Sequence, residues 1–156
     1  MLDTYEICRR LALHEGISLS PYRCSKGKLT IGIGRNLDNN PFTAEELKVV
    51  GDWRHGITRE TAFYLLRHDI SRLERRLSRR ISFWSRLDDE RQYALLDMAF
   101  NLGVDGLCKF KKMLGFMWLG DYRLAAVECL NSRYAKDTGR RACRIAETIR
   151  TGKFAG

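Results

Sequence analysis

Apolar residues recur at helical spacing along most of the chain and at period two in one short stretch. In residues 3 to 14, Ile7 and Leu11, and Cys8 and Ala12, form i,i+4 pairs, which predicts an amphipathic helix stopped at Gly16. The pattern then changes. Between Ser18 and Ile33, Leu29, Ile31 and Ile33 alternate with Thr30, Gly32 and Gly34, predicting short extended segments. Ser25, Lys26 and Gly27 suit the turn of a hairpin. The glycines of IGIG fit a strand that backbone or ligand can approach closely, better than they fit a phosphate loop.

Thr43 and Glu46 have the spacing of a capping box and open a short helix through Val50. Residues 51 to 57 form a loop. A long helix starts at Thr58, with Leu66, Ile70, Leu73, Leu77 and Ile81 along its inner face. Its other side carries Arg72, Arg75, Arg76, Arg79 and Arg80, either a solvated face or an anion-binding stripe. Past the SFWSR connection, Asp88 or Asp89 caps a helix holding Leu95, Leu96, Ala99 and Phe100 that stops at Gly103. Further helices are expected over 107–119, 121–130 and 140–150, separated by Gly120 and Thr138-Gly139 and ended by Gly152. The fold class is α+β, mostly helical. One domain spans 1–156, with an N-terminal lobe over about 15–57, a linking helix over about 58–80 and a helical lobe over about 81–156. The first helix, 3–14, is expected to pack on the helical lobe. Clefts form between such lobes, and clefts bind ligands.

Composition narrows the partners. With 28 Lys and Arg against 19 Asp and Glu, the chain carries a formal charge of +9, which favours an anionic partner: nucleic acid, an acidic membrane face or a polyanionic wall polymer. The charges spaced through the first sixteen residues exclude a signal-peptide core there, and no apolar run approaches the ~20 residues of a membrane span. The cysteines, at 8, 24, 108, 129 and 143, are odd in number and form no CxxC pair, so neither zinc nor a disulfide framework is expected. Cys8, Cys129 and Cys143 fall in helical patterns as small buried apolar residues, whereas Cys24 lies in the polar hairpin.

That hairpin concentrates the candidate chemistry. Glu15 closes the first helix, where the macrodipole disfavours negative charge. Eight residues separate it from Cys24, and five more separate Cys24 from Thr30. A carboxyl, a thiol and a hydroxyl held together by a hairpin can form a hydrolytic site.

The order HEG, Cys24, then Thr30 in TIGIGRNL resembles the catalytic segment of phage endolysins of the T-even phage lysozyme type, the phage muramidases. AFNLG at 99–103 is similar to a groove-lining helix end of that family. SRYAKDTGRRACR at 132–144 and TIRTGKF at 148–154 are similar to its C-terminal lobe, so the resemblance covers nearly the whole chain. It implies a lysozyme-like two-lobe fold and hydrolysis of the β-1,4 bond between N-acetylmuramic acid and N-acetylglucosamine in peptidoglycan. Such cleavage needs an acid for the leaving oxygen and a second group to direct water or attack the sugar. The implied acid is Glu15. Cys24 stands where the commoner pattern has Asp, although Cys also occurs there in some relatives. A thiol near its ordinary pKa of ~8.5 is only a few per cent ionised at neutral pH. Cys24 is then either a weak base helping Thr30 position the water, or a covalent nucleophile; the first is favoured because inversion needs that water.

The resemblance further implies that Arg141 orients Glu15 and that Arg35 pairs with Asp69, a surface pair of this kind contributing only ~0–1 kcal/mol. Asn36, Phe100 and Asn101 are expected to contact the sugar, with Phe100 equally suited to the core. No cofactor and no metal are expected. The expected partner is peptidoglycan, with no nucleic acid, no stable membrane insertion and a monomeric state. The implied location is the host bacterial cytoplasm until a separate membrane pore releases the protein to the wall. The main rival comes from a different class, a basic helical nucleic-acid-binding protein; a lytic transglycosylase stays within enzymes, and a catalytically dead wall binder is the third.

Overall fold

Helix α1, Thr4–Glu15, buries Ile7, Cys8 and Leu11, as its i,i+4 spacing dictates. It opens the fold in the computed structural model, which describes residues 2–156. Two units can be told apart by density of contact: Thr4–Ser71, and residues 72–156 with residues 2–3.

In the first unit, a three-stranded antiparallel sheet follows α1, with β1 at Ser18–Arg23, β2 at Leu29–Gly32 and β3 at Arg35–Asn36, in the order β1-β2-β3. The predicted turn closes the first hairpin: the Cys24 amide donates to Lys28 O at 2.9 Å, and the Gly27 amide to Cys24 O at 2.8 Å. IGIG is not a strand throughout. β2 ends at Gly32, and Gly32 and Gly34 take φ of 70° and 67° to turn the chain into β3. The nearest atoms a side chain at Gly32 would meet, on Ala62, lie at 3.7 Å, so backbone conformation rather than close approach selects glycine.

The capping box is present. Thr43 Oγ1 accepts from the Glu46 amide at 3.1 Å, and Glu46 Oε1 accepts from the Thr43 amide at 2.9 Å, opening α2, Ala44–Val50. The loop after it contains one 3₁₀ turn, Trp53–His55, and the Ile57 amide donates to Leu19 O at 2.8 Å. Helix α3, Arg59–Arg80, buries Ala62, Leu65, Leu66, Ile70 and Leu77, while the expected Leu73 is only half-buried. The boundary between units lies inside α3, after Ser71, and α1 falls in the unit of the sheet. Cys8 of α1 is close enough to Arg67 of α3 for the guanidinium to oppose the upward push that burial gives the thiol.

The second unit is helical. Helix α4, Asp89–Cys108, starts at Asp88, whose carboxylate accepts from the Arg91 amide at 3.2 Å. It does not stop at Gly103. There it kinks, with φ 79° and ψ 161°, and continues to Cys108. The helix expected over 107–119 begins only at Lys111, because Leu107 and Cys108 finish α4 and Phe110 leaves helical geometry. Helix α5 is therefore Lys111–Leu119. After the Gly120-Asp121 turn come α6, Tyr122–Leu130, then α7, Arg133–Thr138, and α8, Arg140–Thr151. α7 has no apolar period to announce it, only Tyr134 buried and a Ser132 cap. Helices α4, α6 and α7 pack on α8, whose inner face is Ala142, Ile145, Ala146 and Ile149. That face excludes Cys143, which is exposed, contrary to expectation. Cys129 is buried as expected, and burial, then the neighbouring Cys143, pushes its thiol up to about 12.

Candidate active site

The sheet register decides which side chains can meet. Tyr22 pairs with Thr30, and Thr30 with Asn36, so these three form one row across the sheet on one face. Cys24 follows Tyr22 by two residues and shares that face, at the turn. Its sulfur, half-buried, accepts from the Lys26 and Lys28 amides and from the Thr30 hydroxyl, which together hold the thiol below its ordinary value. Two amides of one turn, on either side of Gly27, that both favour the charged sulfur suit a thiolate as well as a carboxylate.

Thr30 is buried, and its Oγ1 also lies 2.9 Å from Lys28 O as a donor. A hydroxyl has one hydrogen. It can satisfy the carbonyl or the sulfur, and its lone pairs remain open to another donor.

Glu15 is the last residue of α1 and half-buried, and the Gly16 amide returns to Ala12 O at 3.0 Å to close that helix. Tyr22 links it to the hairpin. The phenol, although 42 % exposed, is pushed above its ordinary value by partial desolvation first, then by the charges of Cys24 and Glu15, so both acids act on it electrostatically. Cys24 and Thr30 thus share one face of the hairpin with Tyr22, whose phenol also feels the charge of Glu15; Tyr22 is a residue that the sequence analysis missed. Its signal was available: it has the period-two position before Cys24, opposite Thr30.

Asn36 ends the row, but its Oδ1 accepts from the Asp38 and Asn39 amides, each at 3.1 Å, and so holds the following turn. Arg35, on the opposite face of β3, is 1 % exposed. Its five donors are matched by five bonds: Nε to Asn40 O, Nη1 to Glu46 Oε2 and Asp69 Oδ1, and Nη2 to Glu46 Oε1 and Pro41 O, all at 2.7–3.1 Å. The Asp69 pair is there, yet it is part of a buried network with the fully buried Glu46 and does not behave as a surface pair. His68 Nδ1 lies 3.2 Å from the same Glu46, and Asn40 Nδ2 donates to Asp69 at 3.1 Å. This network fixes β3, and with it Asn36 and the strand beside Thr30.

In the helical unit, Phe100 is half-buried and Asn101 exposed, just before the kink at Gly103. Arg141, in the first turn of α8, donates through Nε to Asp97 Oδ1 at 2.9 Å and through Nη2 to the same oxygen and to Asp97 O. Asp97 is buried and stands one turn before Asn101 on the same face of α4. It too was missed; the signal was a lone acid within the apolar run ALLDMAF. Among the described residues, no group of three or more His, Cys, Asp or Glu is arranged to hold a metal ion.

A family model described as phage lysozyme matches residues 12–147, a span that contains Glu15, Cys24, Thr30 and Arg141. The pre-baseplate central spike protein Gp5 of Enterobacteria phage T4 is 34 % identical over 153 residues, covering 90 % of this chain and 27 % of that protein. "Probable T4-type lysozyme 2" of Dictyostelium discoideum is 29 % identical, covering 91 % of this chain and 92 % of its own. An endolysin of Acyrthosiphon pisum secondary endosymbiont phage 1 is 29 % identical over 128 residues, 82 % of this chain and 77 % of its own. The chain therefore spans about a quarter of the spike protein and nearly the full length of the Dictyostelium protein.

Proposed function

Because the chain belongs to the phage lysozyme family, we propose that it is a glycoside hydrolase that cuts the β-1,4 bond between N-acetylmuramic acid and N-acetylglucosamine in peptidoglycan. What supports this reading is the shared face of Cys24 and Thr30 on the hairpin, with Glu15 close enough for its charge to act on the adjacent Tyr22. In this reading the Glu15 carboxyl gives its proton to the leaving sugar oxygen. A water held by Thr30 attacks the anomeric carbon, and its proton passes to the Cys24 thiolate. The turn amides of Lys26 and Lys28 favour that thiolate and so raise the share of enzyme ready to react at neutral pH. Exchange with solvent returns one proton to Glu15 and removes one from Cys24.

Asn36 reaches the sugar through the part of its side chain that does not hold the turn. For Phe100, Asn101 and Arg141 the roles are those that the resemblance implies: contact with the sugar for the first two, orientation of Glu15 for the third. The substrate is the bacterial cell wall, reached after release through a separate membrane pore, and the protein acts as a monomer. Among the described residues, no helix is long and apolar enough to cross a membrane.

Digestion of purified peptidoglycan, with mass measurement of the fragments, tests the reaction. Reducing ends are expected. Anhydro-muramyl ends would assign a lytic transglycosylase instead, and the absence of released fragments would leave only a wall binder.

A further inference from the structure

The helical hairpin of α5 and α6 presents to solvent a surface that the hydrolytic site does not use. Along α5 the exposed positions are Lys111, Lys112, Gly115, Trp118 and Leu119. Along α6 they are Arg123, Val127 and Leu130, spaced i, i+4, i+7 as a single stripe. Trp118 is 58 % exposed and Leu119 70 %, and Val127 and Leu130 are each about half exposed. Single apolar residues at a surface need no explanation. Four of them concentrated on two packed helices, two at the end of α5 and two along the outer stripe of α6, do call for one.

The charges of this surface have one sign. Every charged residue at an exposed position of the two helices is a cation, while the acids are withdrawn: Glu128 is half-buried, and Asp121 caps α6 through the Leu124 amide at 3.1 Å. An apolar protein partner would leave the three cations without a counterpart, and a hydrophilic polyanion would leave Trp118 and the leucines without one. An anionic bilayer surface satisfies both, because aliphatic side chains enter the acyl boundary, an indole settles at the headgroup level, and cations meet phosphate. A nine-residue helix is far too short to span a bilayer, so α5 can only lie in its plane.

We propose that the α5–α6 hairpin is a docking surface for a membrane leaflet containing anionic phospholipid, separate from wall hydrolysis. The complementary charge favours this occupant: residues 72–156 hold 18 Lys and Arg against 10 Asp and Glu. Flotation of the purified protein with lipid vesicles tests the proposal. The protein should rise with vesicles of phosphatidylethanolamine and phosphatidylglycerol, and remain behind with phosphatidylcholine alone. Trp118→Gln combined with Leu119→Gln should abolish flotation, and Lys111→Gln combined with Lys112→Gln should weaken binding by about fivefold per lysine. Both variants change only exposed positions, so release of peptidoglycan fragments should be unchanged in each. Since the vesicles contain no wall polymer, failure of hydrolysis does not bear on this result. The proposal is overturned if the protein stays behind with the anionic vesicles, if it floats equally with both lipids, or if the Trp118/Leu119 variant floats as well as the parent. It is also overturned if light scattering shows a dimer that this variant dissolves, which would assign the patch to a second copy.

Discussion

Residues 4–71 hold ten Lys and Arg against eight Asp and Glu, whereas residues 72–156 hold eighteen against ten. Each region also encloses an arginine, in different ways. The Arg35 side chain is 1 % exposed, with every donor matched by Glu46, Asp69 or a backbone carbonyl. The Arg141 side chain is 14 % exposed and braced on Asp97. The sheet unit leaves eight of its ten cations exposed but encloses one cluster, Arg35 with Glu46 and Asp69, which immobilises the two-residue strand β3, too short to hold itself by ladder bonds. The helical unit is held by apolar helix faces and keeps most of its charge for the outside.

The largest expected effect lies in the sheet unit. Glu15→Gln should lower fragment release from peptidoglycan by about 100- to 10,000-fold with the unfolding midpoint unchanged, while Cys24→Asp should retain lytic activity. An active Glu15→Gln protein would remove the proposed acid and move the chemistry elsewhere.

The two arginines give the next test. Arg35→Ala leaves two carboxylates facing each other in the interior and should cost about 3–5 kcal/mol in urea unfolding. Asp97→Ala should cost visibly less, since Arg141 can turn toward water; equal losses would break the contrast.

Gly103→Ala places a side chain where φ is +79°, and should cost about 1–3 kcal/mol through strain alone. Thr43→Ala removes half of the capping box and should cost about 1 kcal/mol, read from the same urea curves.

The smallest effect concerns protons. Because the turn amides lower the Cys24 pKa, its alkylation by iodoacetamide should titrate below the ~8.5 of a free thiol, while buried Cys129 stays unreactive. The depressed value also gives the fold a slight advantage above the ordinary thiol range, lost as pH falls through the folded value. Thermal midpoints of the parent minus those of Cys24→Ser, followed over pH, should show that sign. If thiolate serves as base, lysis should climb from about pH 6 toward 8.

What was legible in the chain was local. The capping box at Thr43 and Glu46, the turn at Ser25–Gly27 and the helix stops at Gly16 and Gly152 each depend on neighbours within a few residues, and each is present. Strand β3 was not legible, since two residues cannot display an alternation, and neither was α7, with a single buried side chain. At Gly103 a stop and a kink share one signal, and only the packing of Val104 and Leu107 distinguishes them. Glu46 shows the limit most plainly. The sequence marks it as a capping residue, but its second role, as counterion to an arginine eleven positions earlier, exists only once the chain has folded. In the same way Tyr22 and Asp97 acquire their meaning from residues across the sheet and on another helix.

The single hydrogen of Thr30 makes the hairpin self-reporting. With a neutral thiol beside it the hydroxyl is free to point at the Lys28 carbonyl, and with a thiolate it is drawn to sulfur. In the proposed reaction, the lone pairs offered to an incoming water therefore rotate with the charge on Cys24, so that one torsion would set both the readiness of the base and the aim of the nucleophile.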